Sequence, residues 1–175
     1  MLQTISLEMP APPAQIQMRP LPEDLLTWFG ERTLVQLTLE AVSQVNLGSR
    51  TGVQGPDLLT LVCYCYARGV LGSRQIEWAA RHDPNLRRLG GNVAPDWNTI
   101  RNFRRRNREA VLRTLRCLLA SAHELRYGAA ALEAALPAQG AAESGSLQAA
   151  WVLALQGATA RIERAIHADS MALDE

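Results

Sequence analysis

The fold of this chain depends most on the stretch DWNTIRNFRRRNREAVL, residues 96–112. After Asp96, apolar residues recur at helical spacing, and five arginines fall within the eight positions 101–108. An aspartate before such a run is typical of a helix N-cap, because its carboxylate accepts hydrogen bonds from free backbone N–H groups. The pattern predicts an amphipathic helix that packs on one side and presents arginines on the other.

The charge of the chain is polarised, although its net charge is only +1. Residues 68–116 hold twelve arginines and four acids, a local charge of +8, whereas the other residues hold six arginines and thirteen acids, a local charge of −7. Every basic residue is an arginine, and the planar guanidinium group suits phosphate oxygens well. This distribution indicates an anionic partner for the middle of the chain.

The composition argues against several classes of protein. Of the 175 residues, 47% are hydrophobic, which is enough for a core, yet no run of eighteen apolar residues occurs. We therefore expect no membrane contact and a cytoplasmic location. Cys63, Cys65 and Cys117 are odd in number and lack ordered spacing, which predicts reduced, mostly buried thiols. The three histidines are scattered singly, so we expect no metal, no cofactor, no small-molecule substrate and no enzymatic activity.

The whole sequence predicts an all-α protein, a compact helical bundle with a helix-turn-helix-like segment and a C-terminal amphipathic helix. Proline-rich residues 1–20 are expected to form a flexible arm. Residues 21–127 should form the helical domain, residues 128–145 an alanine- and glycine-rich linker, and residues 146–175 the final helix. No stretch shows the alternation that is typical of a β-strand.

Within the domain, four helices that precede the basic one are predicted from their local signals. The acidic segment Leu21–Asp24 should begin the first. Residues 56–68 are strongly apolar and should form a buried central helix that Gly69 ends. Ser73 is a candidate cap for a helix ending at His82, and Asp83 should cap a short one.

In the C-terminal helix, apolar residues recur three or four positions apart, which predicts a buried stripe. That stripe either docks on the domain or pairs with a second copy. Its members are Leu147, Trp151, Leu155, Ala158, Ile162 and Ile166.

The basic helix itself should continue from Asp96 to Gly128, because nothing obvious interrupts it. On a helical wheel of about 100° per residue, one face is apolar and includes Ile100 and Phe103. The arginines would contact phosphates, while polar side chains near the helix start would reach base edges. The candidate DNA-binding residues are Asn98, Arg101, Asn102, Arg104, Arg105, Arg106 and Arg108. The alternative is a solvated face whose arginine stems cover apolar surface.

Three ordered blocks of the sequence, within residues 21 to about 122, resemble the N-terminal domain of bacterial insertion-sequence transposases. The blocks are Leu-Pro-Glu-Asp at 21–24, an apolar helix followed by Gly-Val and Ser-Arg-x-Ile-Glu within 56–77, and Pro-Asp-x-x-Thr-Ile-x-x-Phe-Arg-Arg-Arg at 95–106. The resemblance implies a helical domain that binds transposon-end DNA.

One departure from that family concerns its catalytic part. The resemblance implies a sheet whose three acids hold two metal ions, yet this sequence shows no such strand after residue 128. We therefore expect no strand transfer. The sequence leaves open a regulator that binds DNA, part of a split transposase, a protein-interaction module or homodimer joined through the C-terminal helix, and a decayed fragment.

Overall fold

The computed structural model describes residues 21–45, 55–128 and 145–172. These residues form helices and no β-strand, which confirms the predicted all-α fold. None of the helices in this part is long and apolar enough to cross a membrane. The predicted arm at 1–20 and nearly all of the predicted linker lie outside it. After a short 3-10 helix at Leu25–Thr27, the order is α1 (Glu31–Ser43), α2 (Gly55–Ala67), α3 (Ser73–His82), α4 (Pro84–Leu89), α5 (Trp97–Arg106), α6 (Arg108–Tyr127) and α7 (Gly145–Met171).

The core is built around α2, as its apolar sequence predicts. Every residue from 58 to 67 is buried, and Cys63 and Cys65 are free thiols among them. Burial raises the pKa of the Cys65 thiol to about 12, so the group stays protonated. Gly69 ends the helix with a φ of 74°, a backbone conformation that favours glycine.

The predicted caps are partly confirmed. Asp83 accepts a hydrogen bond from the backbone N–H of Asn85 at 2.9 Å and caps α4. Ser73, in contrast, is the first residue of α3 and Gly72 occupies the cap position. The segment 21–24 leads only into the short 3-10 helix, so α1 begins at Glu31 rather than near Asp24.

The prediction of one continuous basic helix is wrong, because the helix breaks at Asn107. Its backbone has φ −117° and ψ 30°, which separates α5 from α6. The Asn107 side-chain amide donates to the Phe103 carbonyl oxygen at 3.0 Å, the same oxygen that accepts the Asn107 backbone N–H. Asparagine competes with the helix in this way more readily than most residues.

The C-terminal helix packs along α6 and joins the same hydrophobic core, but its buried face coincides only in part with the predicted stripe, sharing Ala158 and Ile162 with it. Leu155 and Ile166 are 40% and 42% exposed, and Trp151 is half-buried. The side chain of Leu147 lies outside the described residues. The buried face consists mainly of small side chains and includes Ala150, Ala154, Ala158, Ile162 and Ala165.

Small residues are favoured on this face because α6 and α7 lie close together. A Cβ atom added to Gly157 would stand 3.2 Å from Cδ1 of Leu119 on α6. Larger side chains on the buried face would push the helices apart, so the leucines and the tryptophan of the apolar stripe are displaced toward its edges.

A buried ion pair fastens α7 to the domain. Asp169 Oδ2 accepts from Arg104 Nη2 on α5 at 2.6 Å, and both side chains are less than a tenth exposed. Arg104 Nη1 also donates to the Tyr66 hydroxyl on α2 at 2.9 Å. Ser73, at the start of α3, donates its backbone N–H and its hydroxyl to the two Asp169 oxygens, each at 2.7 Å. The carboxylate therefore links α7 to α3 and α5 directly, and Arg104 extends the network to α2.

Arg161 makes a second buried attachment, about two turns before Asp169 on α7. Its Nε donates to the Tyr66 carbonyl oxygen at 3.1 Å, and its Nη2 donates to the Pro22 carbonyl oxygen at 2.7 Å. Arg164, on the exposed side of the same helix, forms an ion pair with Glu23. The last helix is thus attached to both the central helix and the first described residues.

We expect Asp169→Ala to lower the free energy of unfolding by about 3–5 kcal/mol, because Arg104 would be left buried without its counter-charge. Urea unfolding followed by circular dichroism measures this change. Glu163→Ala is the control, since Glu163 is exposed on the same helix and should change stability by less than about 0.5 kcal/mol. Similar losses in the two variants would contradict the role assigned to the ion pair.

His123 is a buried titratable group in the interface between α6 and α7. It is 2% exposed. Its ring lies nearly parallel to that of Tyr127, with centroids 6.1 Å apart. Burial and, to a lesser degree, the charge of Arg161 lower the pKa of His123 from 6.5 to about 4. The folded protein therefore holds this ring neutral at pH values where the unfolded chain would protonate it.

Stability should consequently fall as the pH drops from about 6.5 to 4, because the unfolded state binds the extra proton. Across that pH range, His123 should lower the free energy of unfolding by on the order of 3 kcal/mol. The contribution of His123 is obtained by comparing the pH dependence of the unfolding free energy in the wild type and in His123→Leu. The variant should have the flatter profile, and identical slopes would refute the assignment.

Candidate nucleic-acid interface

The exposed polar side chains of α5 and the start of α6 form one surface, which we call the basic face. Arg105, Arg106 and Arg108 are exposed, and Arg101 is half-buried. Asn98 and Asn102 lie on the same part of α5, where the Asn102 side-chain amide donates to Asn98 Oδ1 at 3.2 Å. Apart from Arg104, the side chains that the sequence predicted as DNA contacts therefore remain at least partly accessible.

The start of α5 is held by Asp96, as its sequence pattern predicts. Asp96 Oδ1 accepts from the Thr99 backbone N–H at 2.8 Å, and Oδ2 accepts from the Thr99 hydroxyl at 2.7 Å. These hydrogen bonds lower the pKa of the Asp96 carboxyl, and the one from the Thr99 hydroxyl has the largest effect. The Trp97 backbone N–H donates to Glu77 Oε2 on α3 at 3.2 Å. The helix start is thus defined both by its own cap and by α3.

The apolar side of the same stretch packs as predicted. Ile100 and Phe103 on α5 are buried, and so are Val111, Leu115 and Leu118 on α6. These side chains belong to the hydrophobic core, whereas Arg105 and Arg106 on α5 are exposed to solvent. The break at Asn107 changes the direction of the chain between Arg106 and Arg108 without removing either from the surface.

The arginines of the basic face have no acidic partner among the residues that the structure describes. Arg101, Arg105, Arg106 and Arg108 form no ion pair there. The nearest acid in sequence, Glu109, is bound to Arg113 with an Nε–Oε1 distance of 2.9 Å. The positive charge of this surface is therefore uncompensated by neighbouring side chains.

The prediction that Arg104 contacts DNA does not fit its position. Its side chain is 5% exposed and its two terminal nitrogens bind Asp169 and the Tyr66 hydroxyl. Because both terminal nitrogens already have partners inside the protein, this side chain is not free to follow a phosphate backbone on the surface. Arg104 is a structural residue that orients the helix carrying the basic face.

The sequence analysis did not single out Asp169. A signal was present, because Asp169 continues the spacing of Ala158, Ile162 and Ala165 on the buried side of α7. A carboxylate at such a position requires a buried partner. The pattern alone predicts that a partner exists, but it does not say which arginine it is.

A cavity of about 750 Å³ lies away from the basic face, between the end of α2, α3 and α4. Trp78 is 64% exposed there and stacks on His82, with ring centroids 4.4 Å apart. Arg68 and Arg74 also line this cavity. It shares no residue with the basic face, and no motif in the sequence pointed to it.

No group of three or more His, Cys, Asp and Glu side chains within residues 21–45, 55–128 and 145–172 is arranged to hold a metal ion. Comparison of the whole chain with protein-family models, with curated proteins and with solved structures finds no match.

Proposed function

We propose that this protein binds DNA through the basic face. The observation that carries the proposal is a set of arginines on one capped helix and its continuation, accessible to solvent and without ion-pair partners in the described residues. Such charges attract a phosphate backbone and release its counterions on binding. The resemblance of residues 21–122 to a transposase N-terminal domain supports the same function.

The roles of the side chains follow from their positions on the helix. Arg105, Arg106 and Arg108 are exposed and long enough to follow a phosphate track. Asn98 and Asn102 lie in the first turns, and an asparagine amide pairs well with the edge of an adenine. The proposal therefore assigns affinity to the four arginines and sequence preference to the asparagines, with Arg101 placed where it could contribute to both.

If the four arginines of the basic face neutralise about four phosphates, log affinity should fall with log salt at a slope near −3.6. The Arg105→Ala/Arg108→Ala variant should flatten the slope by roughly two units and weaken binding to all duplexes alike. Fluorescence anisotropy of a labelled duplex at several salt concentrations measures both. Arg32→Ala is the control, because Arg32 is an exposed arginine on α1.

The control should bind as the wild type does, and circular dichroism should show unchanged helicity in all three proteins. Affinity that does not respond to salt, or that is equal in the double variant and the wild type, would refute the proposal.

Sequence preference has a separate test. Selection from a pool of random duplexes should enrich a common site with the wild type, whereas Asn98→Ala/Asn102→Ala should enrich it less. Each lost base contact should reduce discrimination by about 1–3 kcal/mol while leaving binding to random DNA nearly unchanged. Equal enrichment by both proteins would remove the asparagines from the recognition surface.

A protein-interaction function is the second candidate, and the outer side of α7 favours it. Val152, Leu155 and Ile166 are 52%, 40% and 42% exposed, and they recur along the helix. A homodimer joined through these side chains would bury them. Sedimentation velocity shows whether the wild type is a dimer or a monomer. If it is a dimer joined through this surface, Leu155→Asp should be a monomer; if it is a monomer, the variant should sediment as the wild type does.

A further inference from the structure

The cleft between α7 and the junction of α5 with α6 has an unusual lining. It encloses about 390 Å³, which lies within the usual range for small-molecule sites. Among the described residues that line it, half are arginines and one is acidic. The residues are Arg101, Arg104, Arg105, Arg108, Ile162, Ile166, Asp169 and Ser170.

Among the described residues, one acid faces four arginines in the cleft and does not neutralise them. Asp169 already accepts hydrogen bonds from Ser73 at both oxygens and from Arg104 at one of them. The described lining residues, with four positive charges and one negative, carry a net charge of +3. Arg101, Arg105 and Arg108 thus bring like charges to one cleft, and an anion between them would reduce their mutual repulsion.

Arg104 supplies an independent indication at the base of the cleft. Its Nη1 and Nη2 have partners, but its Nε is buried and finds no hydrogen-bond partner in the part of the chain that the structure describes. A buried N–H group without an acceptor is costly and rare in folded proteins. An oxygen-rich anion is the kind of ligand that offers acceptors to such a donor.

We propose that this cleft binds a phosphoryl group, with Arg101, Arg105 and Arg108 as its charged ligands and α7 as its second wall. Guanidinium groups match the paired oxygens of a phosphate. Ile162 and Ile166 form an apolar wall, which strengthens the attraction by lowering the local dielectric constant.

The inference rests on the proposed function to the extent that it uses three of the same arginines. It differs by making the C-terminal helix part of the site. The phosphoryl group comes either from a DNA backbone or from a free nucleotide, and the two sources share the chemistry that the cleft recognises.

Titration calorimetry with inorganic pyrophosphate tests the cleft directly. The full-length wild type should bind it, and Arg105→Ala/Arg108→Ala should weaken binding by about tenfold or more, since charged hydrogen bonds are lost. Ser170→Trp should weaken it comparably by filling the cleft without changing any charge. Ser170 is exposed at its rim, so the substitution should leave the fold intact.

Two controls match these variants. Ala160→Trp places the same bulk on an exposed position of α7 that does not line the cleft, and Arg32→Ala removes an arginine from α1. Both should bind pyrophosphate as the wild type does. No binding by the wild type, or equal losses in Ala160→Trp and Ser170→Trp, would overturn the proposal.

Competition and binding experiments with a DNA duplex separate this inference from the proposed function. If pyrophosphate competes with a duplex and Ser170→Trp weakens both, the cleft holds a backbone phosphate. If a mononucleotide binds at least tenfold more tightly than pyrophosphate and DNA does not bind, the result supports a nucleotide site in the cleft and refutes the proposed DNA binding. If Ser170→Trp leaves duplex affinity unchanged and the wild type does not bind pyrophosphate, the proposed DNA binding remains and the phosphoryl site in the cleft is refuted.

Discussion

The buried ion pair between Asp169 and Arg104 is the constraint on which the rest of the described structure depends. A carboxylate taken out of water needs a counter-charge and hydrogen bonds to all of its oxygens, and no single helix supplies them. Asp169 from α7 binds Ser73 from α3 and Arg104 from α5, and Arg104 in turn binds the Tyr66 hydroxyl from α2. Because the geometry of these hydrogen bonds is narrow, satisfying them fixes how α7 lies against the domain.

The same interaction divides the arginines of the basic stretch into two kinds. Arg104 is neutralised inside the protein, so its charge adds little to the field outside. Arg105 and Arg108, one position and one turn farther on, keep their charge at the surface. The structural arginine holds α5 in the orientation that presents the other arginines to solvent. Stability and the proposed DNA binding therefore depend on neighbouring members of one sequence run.

The C-terminal helix has a larger part in this protein than its position in the chain implies. Its small residues let α6 approach closely, and Arg161 and Asp169 attach it to the central helix and to the start of α3. Its far end also forms one wall of the arginine-lined cleft. A helix that is required for the core is thereby placed beside the charged surface, which is the basis for treating the two as one site.

The sequence by itself determined the elements whose signals are local. The apolar run of α2, the Asp96 cap and the buried side of α5 and α6 follow from spacing and capping chemistry, which act within a few residues. The break at Asn107 was missed because an asparagine is only a weak helix breaker unless its amide finds a backbone acceptor. Only the tertiary structure decided which arginine is enclosed and which face of α7 is buried. Both depend on the approach of Asp169 to Arg104, 65 residues away along the chain, and a helical pattern contains no information about which distant helix will meet it.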